Sequence, residues 1–400
     1  MSRDPSGGAA TAPRSQGDGP QRAPGAGAGT VAPASGADSS RRFLARHKRA
    51  ATSALVGAVI FGFVYYVVPQ IVGLGPTLRL LRGGNPRWLG VAVPAVAASM
   101  AAYIVLFRGV FFADDERIGW SASYQISMAG AAATKLFAAA GAGGLALTVW
   151  ALRESGMASA TVAQDMWCFE ILNYAVYMLA LVIGGFGLWI GLFGGAAPFG
   201  LTFVPGLFGL LVIAAVVSMQ WLGAPLERFL LGREQHSHGR VARWWKRAAA
   251  VPRALQDGLR SAFALVRGGN RSWLAALPAW GFEIATLWAC FRAFGQSPPA
   301  AVLITGFFVG TLANVLPLPG GVGGVEGGMI GAFIGFGVNG SLAVLAVLAF
   351  RTISYWIPLL PEGIAYLQLR HTVGDWRQHP ADGVPRGVKE PGTTAAVRPA

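Results

Sequence analysis

Lys135, Glu283, Glu326 and Arg351 each stand well inside a long apolar stretch of the sequence. An ionised side chain at the centre of a membrane helix costs on the order of 2.5–3.5 kcal/mol unless something pairs with it. Such groups either line a polar cavity or form structural ion pairs, and the sequence leaves both open for these four. Cavity-lining charge does the chemistry of recognition: Lys135 and Arg351 suit a phosphate, Glu283 or Glu326 a cationic headgroup or coupling ion. Glu170 and Asn173 lie in a further apolar stretch. Arg292 and Glu362 fall near the ends of theirs, which predicts side chains that snorkel to the interface rather than face a site.

A second constellation is made of backbone. In Asn314-Val315-Leu316-Pro317-Leu318-Pro319-Gly320-Gly321, followed by Gly323 and Glu326, two prolines remove amide donors and the glycines open φ values that other residues adopt only at a cost. A continuous helix cannot pass this point. Broken backbone at membrane depth is tolerated only where it is buried in protein or lines a wet cavity, and the spare amides and half-helix ends there make a receptor for a polar or anionic group.

The sequence has no phosphate loop with Gly-Lys-Ser/Thr, no Gly-x-Ser-x-Gly, no His-Glu-x-x-His and no Cys-x-x-Cys. Neither enzyme activity nor a cofactor or metal is predicted, and energy for any transport would come from gradients or partners. His236 and His238 sit in a basic, loop-like stretch, and Cys168 and Cys290 lie inside apolar stretches and read as packing residues. The acidic cluster Asp114-Asp115-Glu116 reads as a solvated turn, and is the feature a membrane-embedded glycosyl- or lipid-transfer enzyme would use.

The elements that must position these residues follow from composition. Of 400 residues, 54% are hydrophobic and 12% charged, about half the charged fraction of a soluble domain. Apolar spans read at about residues 51–75, 87–112, 166–195, 199–222, 273–295 and 341–367, each long enough for a bilayer of ~30 Å. The net charge of +14 resides in segments flanking these spans, so it carries topology and implies no nucleic-acid partner. Residues 1–40 and 371–400 read as disordered tails around a polytopic membrane domain, 41–370. The predicted class is an all-α polytopic membrane protein of about six full spans.

Residues 118–157 and 300–340 are too long for one span and too short for two, with glycines at mid-length; both read as pairs of half-helices. The linker 223–272 carries ten Lys/Arg against three acids and is placed in the cytoplasm by its charge. Trp244 and Trp245, beside Arg243, Lys246 and Arg247, fit an interfacial segment on anionic headgroups. Both termini fall inside only if each half-helix pair is a re-entrant hairpin, the first opening to the cytoplasm and the second to the outside. An internal repeat agrees. Leu81-Arg82-Gly83-Gly84-Asn85 with Trp88-Leu89 returns as Val266-Arg267-Gly268-Gly269-Asn270 with Trp273-Leu274, and residues 130–144 overlay 310–324 without gaps. Halves at about 80–222 and 265–367 would then form an inverted repeat of the kind that builds transporters around broken helices.

The run Asn314-x-x-Pro317-x-Pro319-Gly320-Gly321-x-Gly323-x-x-Glu326-Gly327 resembles the signature of the lysylphosphatidylglycerol synthase transmembrane region family, the flippase-like domain of the multiple peptide resistance factor. Arg351-x-x-Ser354-Tyr355-Trp356-x-Pro358 is similar to that family's closing span. In the first half Phe137 and Ala139 stand where Pro317 and Pro319 stand in the second, a departure from a symmetric design. The resemblance implies movement of a phospholipid, an aminoacylated lipid or a glycosylated or polyprenyl-linked lipid between leaflets of the cell membrane. The family's soluble synthase domain is not expected after the last span. As partners it implies membrane lipids, and it admits envelope-biogenesis enzymes, for which the chain could serve as a scaffold, and a homo-oligomer.

Overall fold

A computed structural model describes residues 82–112, 119–136, 142–235, 239–269, 271–315, 321 and 323–378. Every regular element among them is helical. In chain order they are α1 (Pro86–Phe111), α2 (Trp120–Leu136), α3 (Ala142–Glu154), α4 (Ser159–Trp189), α5 (Phe199–Gln235), α6 (Gly239–Arg267), α7 (Ala276–Phe294), α8 (Ala300–Thr311), α9 (Gly324–Gly335), α10 (Gly340–Arg351) and α11 (Ile357–Gln378). A 3-10 turn, Arg271–Ala275, leads into α7, and π-helical Thr352–Trp356 joins α10 to α11.

Five stretches of the described residues are helical, long and apolar enough to cross a membrane: Pro86–Phe111, Ser159–Trp189, Phe199–Gln235, Arg271–Phe294 and Gly340–Arg377. They coincide with five of the six spans read from the sequence; the sixth, 51–75, lies outside the described residues. The chain is an all-α polytopic membrane protein.

The two stretches too long for one span are helical hairpins. Gly130 of α2 faces Thr148 of α3 while Thr134 faces Gly144, so the register runs antiparallel about a point near residue 139. A Cβ at Gly144 would run into the Thr134 hydroxyl and the Gly130 carbonyl, which is why a small residue stands there. Small residues let membrane helices approach closely where burial from lipid contributes little. In the second hairpin Gly310 of α8 faces Met329 and Gly328 of α9. The spacing of 18 residues in Gly130–Thr148 recurs in Gly310–Gly328, the register that the gapless overlay expects.

The helices that follow the duplicated Arg-Gly-Gly-Asn pack on each other along their length. The Asn85 amide donates to the Ala293 carbonyl at 2.8 Å, and the Ser99 hydroxyl to the Ala279 carbonyl at 2.8 Å. Gly109 abuts Ser272. These pairs make α1 and α7 antiparallel, as an inverted repeat requires. Each hairpin then seats on the long helix of the other half: α2 on α11, and α8 on α4. A tyrosine hydroxyl fastens each seat, Tyr124 to the Pro361 carbonyl at 2.9 Å and Tyr177 to the Phe308 carbonyl at 2.7 Å. If the copies are inverted, cysteines at Arg82 and Arg267, both exposed, label with an impermeant maleimide from opposite faces of intact vesicles; labelling from one face removes the inversion.

Two boundaries differ from the sequence reading. The stretch 223–272 is mostly helix, with α5 continuing to Gln235 and α6 packing on α4 and α5. Its polar residues tie helices together: the Gln256 amide donates to the Gln220 carbonyl at 2.8 Å, and Gln164 to the Ser261 hydroxyl at 2.6 Å. Trp244 is exposed on α6. The last helix also runs past 370, to Gln378, because Val373 is buried and Thr372 donates to the Gln125 side chain at 2.8 Å.

Candidate functional site

The C-terminal end of α2 and the π-helical joint meet over a cavity of about 420 Å³ lined by both hairpins (α2, α3, α8, α9) and by α1, α4, α7, α10 and α11. The joint has a local cause. Pro358 lacks an amide proton and its ring crowds the carbonyl four residues back, that of Ser354, so the chain widens instead of keeping an α-helical register. The widening presents Arg351 and Tyr355 on one wall.

Charged and aromatic side chains form a row across that wall. Glu326, in the first turn of α9, accepts from the Gly323 amide with Oε2 at 2.6 Å and from Arg351 Nε with Oε1 at 2.8 Å. The Arg351 guanidinium lies 5.0 Å from the Tyr355 ring centroid, and Lys135 Nζ lies 5.6 Å from the same ring. The Tyr355 hydroxyl donates to the Lys135 carbonyl at 3.1 Å. Lys135 Nζ in turn donates to Glu362 Oε1 at 2.7 Å. One tyrosine thus bridges two ion pairs, one from each hairpin, and each cation also gains from the ring's negative face.

Glu362 is 3% exposed, which corrects its reading as a snorkelling end residue. The apolar stretch fades near 367, but α11 continues well beyond it, so Glu362 is a mid-helix residue and needs a partner. Lys135 was the signal: a deep lysine demands a carboxylate, and Glu362 lies near the stretch that also holds Arg351. Arg292 does lie near a helix end, its guanidinium 5.3 Å from the Trp88 ring.

Glu283 of α7 and Glu170 and Asn173 of α4 line the same cavity, as does Asn314 at the end of the 3-10 turn Leu312–Val315. Gly321 and Gly323 have φ of 66° and 82°, the left-handed region in which glycine is favoured. A Cβ at Gly321 would also strike Asn314 Oδ1. Pro317, Pro319 and Gly320 lie outside the described residues. Of the sequence-predicted residues, Lys135, Glu283, Asn314 and Arg351 converge on the cavity, and Glu326 holds Arg351 from behind.

The ion pairs change the roles expected of the cations. Lys135 and Arg351 each carry a carboxylate partner, so neither offers a bare positive charge to phosphate. On the lining, two cations, Lys135 and Arg351, stand with three carboxyl residues, Glu170, Glu283 and Glu362, while Glu326 pairs with Arg351 from outside it. Carboxyl groups thus outnumber cations on the lining, and Glu170 and Glu283 stand as acceptors for a cationic group.

The family model for the lysylphosphatidylglycerol synthase TM region matches residues 29–361. A UPF0104 membrane protein of Methanothermobacter thermautotrophicus is 35% identical over 105 residues, 26% of this chain and 30% of that protein. A second match to a UPF0104 membrane protein of the same organism is 37% identical over 86 residues, 21% of this chain and 26% of that protein. The aligned parts thus span less than a third of these relatives' length. Because the family match covers most of the chain, including both hairpins and the Arg351–Tyr355 joint, the chain belongs to the lysylphosphatidylglycerol synthase TM region family.

Proposed function

We propose that the protein moves a lipid with a cationic headgroup, such as an aminoacylated phospholipid, between the leaflets of the cell membrane. The observation that carries this is the carboxyl-rich cavity with two ion pairs where the two hairpins meet, among helices that expose many large apolar side chains. The headgroup occupies the cavity, with its ammonium facing Glu283 and Glu170 and its phosphate exchanging for a carboxylate at Lys135 or Arg351, while the acyl chains stay in lipid.

The hairpin helices support re-entrance. With 17, 13, 12 and 12 residues at about 1.5 Å each, they reach about 18–26 Å, short of the ~30 Å hydrocarbon layer. Each hairpin therefore enters and leaves on one side, with both chain termini in the cytoplasm.

The test is reconstitution into vesicles with fluorescent lipids of cationic and anionic headgroup. Glu283→Gln preserves shape and removes the wall charge, so exchange of the cationic lipid is expected to fall about tenfold, the loss of roughly one charge-assisted hydrogen bond, with little change for the anionic lipid. Equal rates for wild type and E283Q with both lipids sink the reading. A membrane-embedded transferase would instead consume a donor lipid and release product from the purified protein.

A further inference from the structure

A second cavity, of about 680 Å³, lies among α4, α5, α6 and the start of α7. Three close helix contacts, each at a glycine, frame it. Gly209 of α5 sits on Met178 and Leu181 of α4; Gly223 of α5 sits on Gln256 of α6; Gly258 of α6 sits on Trp167 and Cys168 of α4. Helices that touch at three corners leave a triangular opening between them. Ile213 and Val217 face it from α5, and Leu259 and Phe263 from α6.

The walls are apolar side chains except where Glu170 and Tyr174 stand, and those two also line the charged cavity. Tyr174 is 46% exposed, so the shared wall is reachable from outside the fold. The volume falls within the 300–1,000 Å³ of ordinary ligand sites.

We infer that this slot holds a hydrocarbon chain of the same lipid whose headgroup enters the charged cavity, with Glu170 and Tyr174 as the threshold between chain and headgroup. The inference rests on the proposed lipid transport and adds where the chain goes. A carboxylate at the inner end of a hydrocarbon slot fits an amphiphile that becomes cationic at that point. It disfavours a fatty acid, whose own carboxylate would meet Glu170, and nothing in a purely apolar guest would use it. Because membrane hydrocarbon is as apolar as the slot, occupancy contributes selection by shape while the headgroup contributes affinity. Slot occupancy therefore depends on headgroup charge.

The experiment uses the full chain in vesicles with two photoactivatable phospholipids, each with a diazirine midway along one acyl chain, one bearing an aminoacyl ammonium headgroup and the other phosphatidylglycerol. Peptide mapping is expected to place the cationic probe on Ile213, Val217, Leu259 and Phe263 at least fivefold over the anionic probe. Val217→Trp and Ile213→Trp, two independent ways of filling the slot, are expected to cut that labelling severalfold at unchanged thermal stability. Equal labelling by both probes, or labelling no greater than at the outward Leu360 and Leu367, means surrounding bilayer lipid only and overturns the slot. Loss of slot labelling with cationic-lipid exchange intact also overturns it. Labelling as expected without any leaflet exchange upholds the slot and removes the transport reading instead.

Discussion

Lys135→Met is expected to lower stability by about 3–5 kcal/mol, and Glu362→Leu by the lower end of that range, as each strands a charge in the interior. The asymmetry follows from exposure: the Glu362 side chain is 4% exposed and that of Lys135 20%, so the stranded lysine keeps more access to water than the stranded carboxylate. The double variant Lys135→Met/Glu362→Leu replaces the pair by hydrocarbon of similar volume and is expected to recover to within about 1 kcal/mol of wild type, since well-packed apolar replacements of buried pairs are close to neutral. Thermal unfolding in detergent measures all three. If the pair is kept for the headgroup and not for the fold, the stable double variant has lost lipid exchange. A double variant that is stable and fully active assigns the pair no role in transport.

Glu326 uses its two oxygens for two jobs, holding the Gly323 amide at the start of α9 and orienting Arg351. Glu326→Gln keeps an acceptor for one of them and loses the charge, whereas Arg351→Gln removes the guanidinium that Glu326 and the Tyr355 ring hold. Each single change is expected to slow exchange by about 10- to 100-fold, the scale of one to two charge-assisted hydrogen bonds. The double variant is expected to be little slower than either, with a coupling of about 1–3 kcal/mol. Additivity to within about 0.5 kcal/mol would show that the two residues act apart. Hydrogen exchange at residues 324–329 is expected to rise in Glu326→Gln, because the cap that closes the first turn of α9 is weakened.

Spans, hairpins and the antiparallel relation of α1 and α7 were legible because length and polarity dictate them. A stretch of 40 residues with glycines at its middle cannot be one crossing, and a motif repeated with three full crossings between its copies must point both ways. The residues of the charged row were legible as types: a lysine and an arginine deep in hydrocarbon announce that carboxylates are near. Their partners were not. Glu362 was misjudged because hydropathy fades before its helix ends, and what extends α11 is a set of long-range contacts, Thr372 to Gln125 and Arg377 to Glu154, that local sequence does not show. The π-helical turn at Thr352–Trp356 was hidden for a related reason. Pro358 announces a disturbance, but whether the chain kinks, breaks or widens depends on what packs beside it.

The exchange of seats between hairpins and long helices means that the halves of the sequence are not the halves of the machine. Lys135 on α2 and Glu362 on α11 belong to one seat, fastened by Tyr124; α8 sits on α4 in the other, fastened by Tyr177. The Lys135–Glu362 bond therefore lies inside one seat. Arg351, at the joint leading into α11, reaches across to Glu326 on α9, and theirs is the bond that ties one seat to the other. One of the two ion pairs closes a seat, and the other joins the two seats.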